Sequence, residues 1–171
     1  MSTQSLDCWI DVMHKYTDSY LWVKETNKFA TNNLLDYFKS KSIDLSRIVF
    51  AKRENLYKDH LARYKKGDLL LDTFLYNGHT TTIEALWSGL PVITLEGNSF
   101  ASRVSASILK SIGLDKLISS SKVSSSFLTS LDTLLSSIFV AILLHFLLFN
   151  NKSGSNSNSH LGQIIGFLLK S

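Results

Sequence analysis

Apolar residues in the first two thirds of the chain fall alternately into short runs and helix-spaced rows. Residues 20–23 form an aromatic and β-branched run, and residues 33–39 carry Leu34, Leu35 and Phe38 at helical spacing. Residues 47–51 hold a strand-like Ile-Val-Phe, residues 56–66 read as a helix closed by Gly67, and residues 69–72 as a buried strand. Residues 80–88 read as the next helix. Gly89 suits the left-handed position after it, and Pro91 follows where a helix cannot continue. Residues 92–95 are the next strand, and residues 99–112 a helix with Val104, Ile108, Leu109 and Ile112 as its apolar face, closed by Gly113. Strand and helix alternate about four times, which predicts an α/β fold: an open parallel sheet with right-handed crossovers and helices on both faces.

The pattern changes near Ile118. Residues 1–118 hold 15 Lys/Arg and 13 Asp/Glu, whereas residues 119–171 hold only Lys122, Lys152, Lys170 and Asp132. The expected organisation is an α/β unit over 1–118 and a Ser-rich, hydrophobic tail over 119–171 with a helix over about 128–149. Its apolar core, 138–149, contains His145 and falls short of the roughly 20 residues that span a bilayer. Extension back to Leu128 reaches that length only by including Asp132 and several serines. A buried or interfacial helix, a non-native end and a membrane span all stay open. Residues 150–159, NNKSGSNSNS, read as a polar linker.

Composition narrows the classes. At 171 residues one compact unit is expected. Lys and Arg outnumber Asp and Glu by 18 to 14, and no basic block interleaves with aromatics, so nucleic acid is not an expected partner. The single cysteine, Cys8, excludes an internal disulfide and a multi-cysteine metal site and fits a small apolar filler on a helix in a reducing compartment. The N-terminus has no secretory pattern and begins inside an amphipathic segment, as a fragment would.

Chemistry concentrates in LYNGHTTTIEALW, residues 75–87, where a buried strand gives way to a helix. In an open α/β sheet, ligands bind outside the carboxyl ends of strands, and a helix N-terminus there suits a phosphate. Gly78 allows close backbone approach, the Thr80 and Thr81 hydroxyls can donate, His79 can donate to a phosphoryl oxygen, and Glu84 can accept from ribose hydroxyls. A plain alternative is a threonine cap, a dipole-compensating Glu84 and a loop histidine. His60 and Arg63, three apart on one helix face, can stack on a base and reach its carbonyls; the alternative is a solvated basic face. No GxGxxG, P-loop, metal-ligand cluster or serine-triad signature is present.

Several unusual words occur in order: LDT followed by NGHTT, then ALWSGLPVITL, then SFASRVSASILKSIGL. Residues 47–118, which contain them, resemble the C-terminal catalytic lobe of the O-linked N-acetylglucosamine transferases, including the plant SPINDLY-like relatives. The likeness extends more weakly back to Cys8 through CWIDVMHKYTDSYLWV, with Thr17 where the family commonly has proline. The resemblance implies the second, Rossmann-like lobe of a GT-B glycosyltransferase, metal-independent and without cofactor, that uses UDP-GlcNAc as donor and serine or threonine hydroxyls of intracellular proteins as acceptors, with inversion. It implies UDP-binding roles for His79, Thr80 and Thr81 at the diphosphate, Glu84 (in place of the family's usual Asp) at the ribose, His60 stacked on uracil, and Arg63 one turn beyond. Tyr57 occupies the slot of a family lysine near the base, and Lys58 fits it only if the alignment shifts by one.

The resemblance implies an active centre that also draws on a first lobe with its own histidine and on a glutamine and lysine that approach the diphosphate, and separate TPR repeats that recruit protein substrates; none of these is expected in this chain. No residue is nameable as catalytic base. The expectation is a transferase fragment inactive alone, cytoplasmic or nuclear, or alternatively a non-catalytic nucleotide-sugar-binding or interaction module, held at a membrane if residues 128–149 anchor it.

Overall fold

The computed structural model describes residues 2–119 together with Thr129, Asp132 and residues 166–169. The chain opens with α1 (Thr3–Lys15), whose start is capped by the Ser2 side chain accepting from the Ser5 N–H. There follow β1 (Tyr20–Lys24), α2 (Lys28–Ser40), β2 (Ile48–Ala51), α3 (Tyr57–Tyr64), β3 (Leu70–Leu71), α4 (Thr80–Trp87), β4 (Val92–Leu95), α5 (Val104–Ser111), β5 (Ile118–Ser119) and β6 (Gly166–Leu169). Among the described residues every strand pairing is parallel, in two three-stranded sheets ordered β2-β1-β6 and β3-β4-β5. The expected single open sheet is therefore divided, with β6 also lying against β3.

Alternation along the strands sends side chains to two cores. Leu21, Val23, Leu69, Leu71, Ile93 and Leu95 join Trp9, Met13 and Phe38 on the face covered by α1 and α2. Leu70 and Val92, with part-buried Trp22, join Tyr64, Ala85 and Leu90 on the face covered by α3 and α4. Helices thus flank both faces, as the pattern predicted. Cys8 packs inside the first core, where burial first and the Asp11 charge second push its thiol up to about 12.

Helix ends explain several boundaries. After α4, Gly89 has φ 84°, its N–H reaches Leu86 O at 3.0 Å, and the Leu90 N–H reaches Ala85 O at 2.8 Å. This pair of bonds closes the last turn while Leu90 packs with Ala85. Gly113 (φ 74°) closes α5 in the same way, with Leu114 N–H on Leu109 O at 2.9 Å. Gly67 does not act so: α3 ends at Tyr64, and Gly67 follows three residues later without a positive φ.

The expected helix over 99–112 is broken. Ser99 and Ser102 cap one another reciprocally, giving a 3-10 turn over Phe100–Ser102, and α5 begins after Arg103. Its buried positions are Ser105, Ala106 and Leu109, whereas Ile112 is exposed. Small residues win there because α5 packs close against the turn at Gly78. The Ser105 hydroxyl is satisfied by Gly78 O at 2.8 Å and the Thr82 hydroxyl at 2.7 Å.

In the tail, Asp132 pairs with Lys15 and Tyr16 at the end of α1. Thr129 and Asp132 are helical; the rest of the expected helix over 128–149 lies outside the described residues. Among the described residues no helix is long and apolar enough to cross a membrane.

Candidate functional site

Because the described strands pair in parallel, their carboxyl ends share one edge, and among the clefts that open there two carry the residues singled out in the sequence. The larger, about 750 Å³, lies beyond the end of β3, between the first turns of α1 and α4; Ser5, Asp72, Asn77 and Gly78–Thr81 line it. The smaller, about 470 Å³, lies beyond β1 and β2 beside α3, with Lys24, Ala51, Tyr57, His60 and Arg63 in its wall. Leu70 and Thr81 belong to both walls.

The loop from β3 to α4 is organised by Asp72. Its Oδ1 accepts the N–H of Thr73 at 2.9 Å and of Gly78 at 2.7 Å, and its Oδ2 accepts the Thr94 hydroxyl at 2.7 Å. Burial raises the carboxyl above its ordinary range, while the donors from Ser105, Gly78, Thr94 and Thr73 oppose that rise. Buried Asn77 ties its amide nitrogen to Thr73 O at 2.8 Å, and its own N–H to Ala101 O at 2.8 Å. Phe74 N–H donates to Ser5 Oγ at 3.1 Å, which fixes the loop to α1.

These bonds deliver His79 to the position just before α4, which no side chain caps. The threonine-cap reading therefore does not hold. Thr80 is exposed, Thr81 is buried in the shared wall, and Thr82 turns inward to Gly78 O (2.9 Å) and Ser105. The His79 ring is stacked on Tyr76 (5.2 Å, 6° between planes) and meets Phe100 edge to face at 6.1 Å. Its Nε2 is buried without a hydrogen-bond partner.

His60, Arg63 and Tyr64 in the wall of the second cleft are joined to Glu84, which is not itself among the lining residues. His60 Nε2 lies 3.1 Å from Glu84 Oε2, and Arg63 Nη2 lies 2.8 Å from His60 Nδ1. A guanidinium only donates, so Nδ1 accepts and the Nε2–H donates to Glu84. Arg63 Nη1 also donates to Lys52 O at 2.7 Å, and the Tyr64 hydroxyl to Glu84 Oε2 at 3.3 Å. Loss of hydration first and the Glu84 charge second raise the Tyr64 and Tyr57 phenols. His60 and Arg63 are half-buried and bonded to each other, not a solvated basic face. The structure brings His60, Arg63 and Glu84 together, with Thr81 on the wall between them and His79. The sequence assigns no individual site role to Asp72, Asn77, Thr82, Tyr64 or Ser105; Asp72, Asn77 and Thr82 carry the positional signal of a strand's carboxyl end, and Tyr64 and Ser105 carry none. Among the described residues no group of three or more His, Cys, Asp or Glu is placed to hold a metal ion.

A parallel α/β lobe with its polar side chains gathered at the carboxyl edge of the strands belongs to the class of open-sheet ligand-binding domains. Residues 1–129 match glycosyl transferase family 41, and the chain belongs to that family. It is 34% identical over 118 residues to the UDP-N-acetylglucosamine–peptide N-acetylglucosaminyltransferase of Caenorhabditis elegans, covering 69% of this chain and 10% of that protein. Over 63 residues it is 46% identical to the probable transferase SPINDLY of Petunia hybrida, covering 37% of this chain and 7% of that one. A mutant O-GlcNAc transferase from Thermobaculum terrenum superposes with a TM-score of 0.71 at 28% identity, covering 76% of this chain and 25% of its own. The chain thus spans about a tenth of the length of these curated relatives.

Proposed function

We propose that this chain supplies the donor-nucleotide half of a protein O-GlcNAc transferase, and that the bound group is the UDP of UDP-GlcNAc. The observation that carries the reading is the buried, unpartnered His79 Nε2 at the uncapped start of α4. A helix start offers N–H groups without intrahelical partners and a partial positive charge, and an added imidazole N–H completes a cradle for a diphosphate. Thr80 and Thr81 add hydroxyl donors at the same turn. Across the Thr81 wall, Glu84 is suited to the ribose hydroxyls and His60 to the face of the base, with Arg63 holding the imidazole in plane.

The chemistry of this half follows from charge. As the glycosidic bond to phosphate breaks, negative charge develops on the departing diphosphate, and donors already fixed around it stabilise that charge without reorganising. Activation of the attacking hydroxyl is assigned to groups outside this lobe, so the chain alone binds the nucleotide and does not turn over. Calorimetric titration of UDP into the 171-residue chain is expected to give saturable binding that UDP-GlcNAc competes away. Absence of heat even at millimolar UDP would overturn the reading.

A further inference from the structure

Tyr57 is the first residue of α3, is 64% exposed and lines the smaller cleft beside His60. The two ring centroids are 6.3 Å apart with 31° between the planes. By contrast, Tyr64 meets His60 nearly edge-on, at 77°. The two edges of His60 that carry nitrogen are tied, one to Arg63 and one to Glu84, so its ring plane is fixed. The Tyr57 side chain stands at the solvent side of the cleft.

These distances suit a planar guest. Carbon atoms in stacked contact sit about 3.5 Å apart, so a ring held between two others needs about 7 Å between them. The Tyr57 and His60 centroids stand 6.3 Å apart across planes tilted by 31°, so the two rings are not stacked flat on one another. The Tyr57 hydroxyl also reaches the Glu84 carboxylate, so a swing of the exposed phenol away from Glu84, which also removes the tilt, brings the two rings face to face at the required width while His60 stays in place.

We propose that Tyr57 and His60 form an aromatic clip that holds the nucleobase on both faces, with Tyr57 as the movable jaw. This rests on the reading of the cleft as the nucleoside half of a UDP site and adds to it a second stacking residue. Stacking uses the π-face that every base has, so the clip contributes affinity for the base as a class rather than reading its edges. It also shields both faces of the base from water.

The test compares the 171-residue chain with Tyr57→Leu and Tyr57→Phe, all checked for folding by thermal melting, with UDP and inorganic pyrophosphate as probes. Loss of one stacking face is expected to weaken UDP binding about tenfold in Tyr57→Leu, and the ring kept in Tyr57→Phe to hold it within about twofold of wild type. Pyrophosphate binding should be the same in all three. In wild type, the uracil H5 and H6 proton resonances should move upfield on binding, and this movement should shrink in Tyr57→Leu. If wild type binds UDP but shows no upfield movement, or if Tyr57→Leu binds as wild type does, the clip is overturned and the UDP site stands. Equal weakening in both variants would mean that the hydroxyl acts and the ring does not, which also overturns it. If wild type does not bind UDP, the site reading fails and the clip with it.

Discussion

The Asp72 carboxylate accepts the Gly78 backbone N–H at 2.7 Å, and so folds the loop after β3 back onto the end of the strand it leaves. Because that carboxylate is buried, its pKa in the folded chain is raised above the 3.8 it has when solvated. Over the interval between the two values the unfolded chain has released the proton and the folded chain has not. The contribution of this group to stability is full below pH 3.8 and is lost as pH rises through the folded value. Asp72→Asn keeps an oxygen for Gly78 and removes the titration. Urea denaturation across acid to neutral pH should show the stability of Asp72→Asn gaining on wild type as pH rises; a constant difference would show that Asp72 does not titrate as described.

Gly78→Ala should damage the same loop from the other side. A Cβ there would stand 2.7 Å from Thr82 Oγ1 and 3.3 Å from Thr82 N, and the backbone nitrogen cannot move aside. Overpacking of this kind costs about 1–3 kcal/mol. Combination with Thr82→Ala removes the nearest clashing atom, so the double variant should be less destabilised than the sum of the two singles. Strict additivity in denaturant melts would rule out this contact as the cause.

Glu84 gives a prediction about the ligand. If its carboxylate accepts from ribose hydroxyls, Glu84→Ala should weaken UDP binding about tenfold, the loss of a charge-assisted hydrogen bond. The same substitution should leave binding of 2′,3′-dideoxy-UDP nearly unchanged. Calorimetry with both nucleotides separates this from a general loosening of His60, which would weaken both alike.

Ser42 ends α2 at φ 60°, with its N–H on Lys39 O at 3.0 Å and the Ile43 N–H on Phe38 O at 3.1 Å. This is the bond pattern of Gly89 and Gly113, made by a residue with a Cβ. Left-handed backbone costs a non-glycine residue about 1–2 kcal/mol, so Ser42→Gly should raise stability by about 1 kcal/mol after the added freedom of the unfolded chain is subtracted. A lower melting temperature in this variant would contradict the argument.

What the sequence reveals here depends on whether a residue's partner is local. Residues 92–95 read correctly as a strand because four consecutive buried positions leave a short apolar run between turn signals. Gly89 and Gly113 were legible for the same reason, since a helix stop is a matter of a few neighbouring residues. The buried face of α5 was not. Hydropathy sends Ser105 outward, yet its hydroxyl is satisfied by a carbonyl 27 residues away. His60 and Arg63 posed the same difficulty, because their polar face is covered by Glu84, 24 residues on. The His79 neighbourhood was visible as a strand-to-helix junction. The bonds from Asp72, Asn77 and Ser5 that set its shape come from pairings that spacing does not encode. Nor does a short apolar piece near the C-terminus announce that residues Gly166–Leu169 will lie parallel to β1.

The two clefts share a wall, Leu70 on β3 and Thr81 on α4, so a ligand that reached into both, as proposed for UDP, would be held as by a chelator. A molecule with one end in each chamber loses its translational freedom once, whereas two separate molecules lose it twice. The second end then meets its chamber at an effective concentration in the millimolar range, about what a short tether provides. Weak grip in each chamber is therefore compatible with a tight hold on the whole, and cutting such a molecule in two should forfeit more affinity than either half retains.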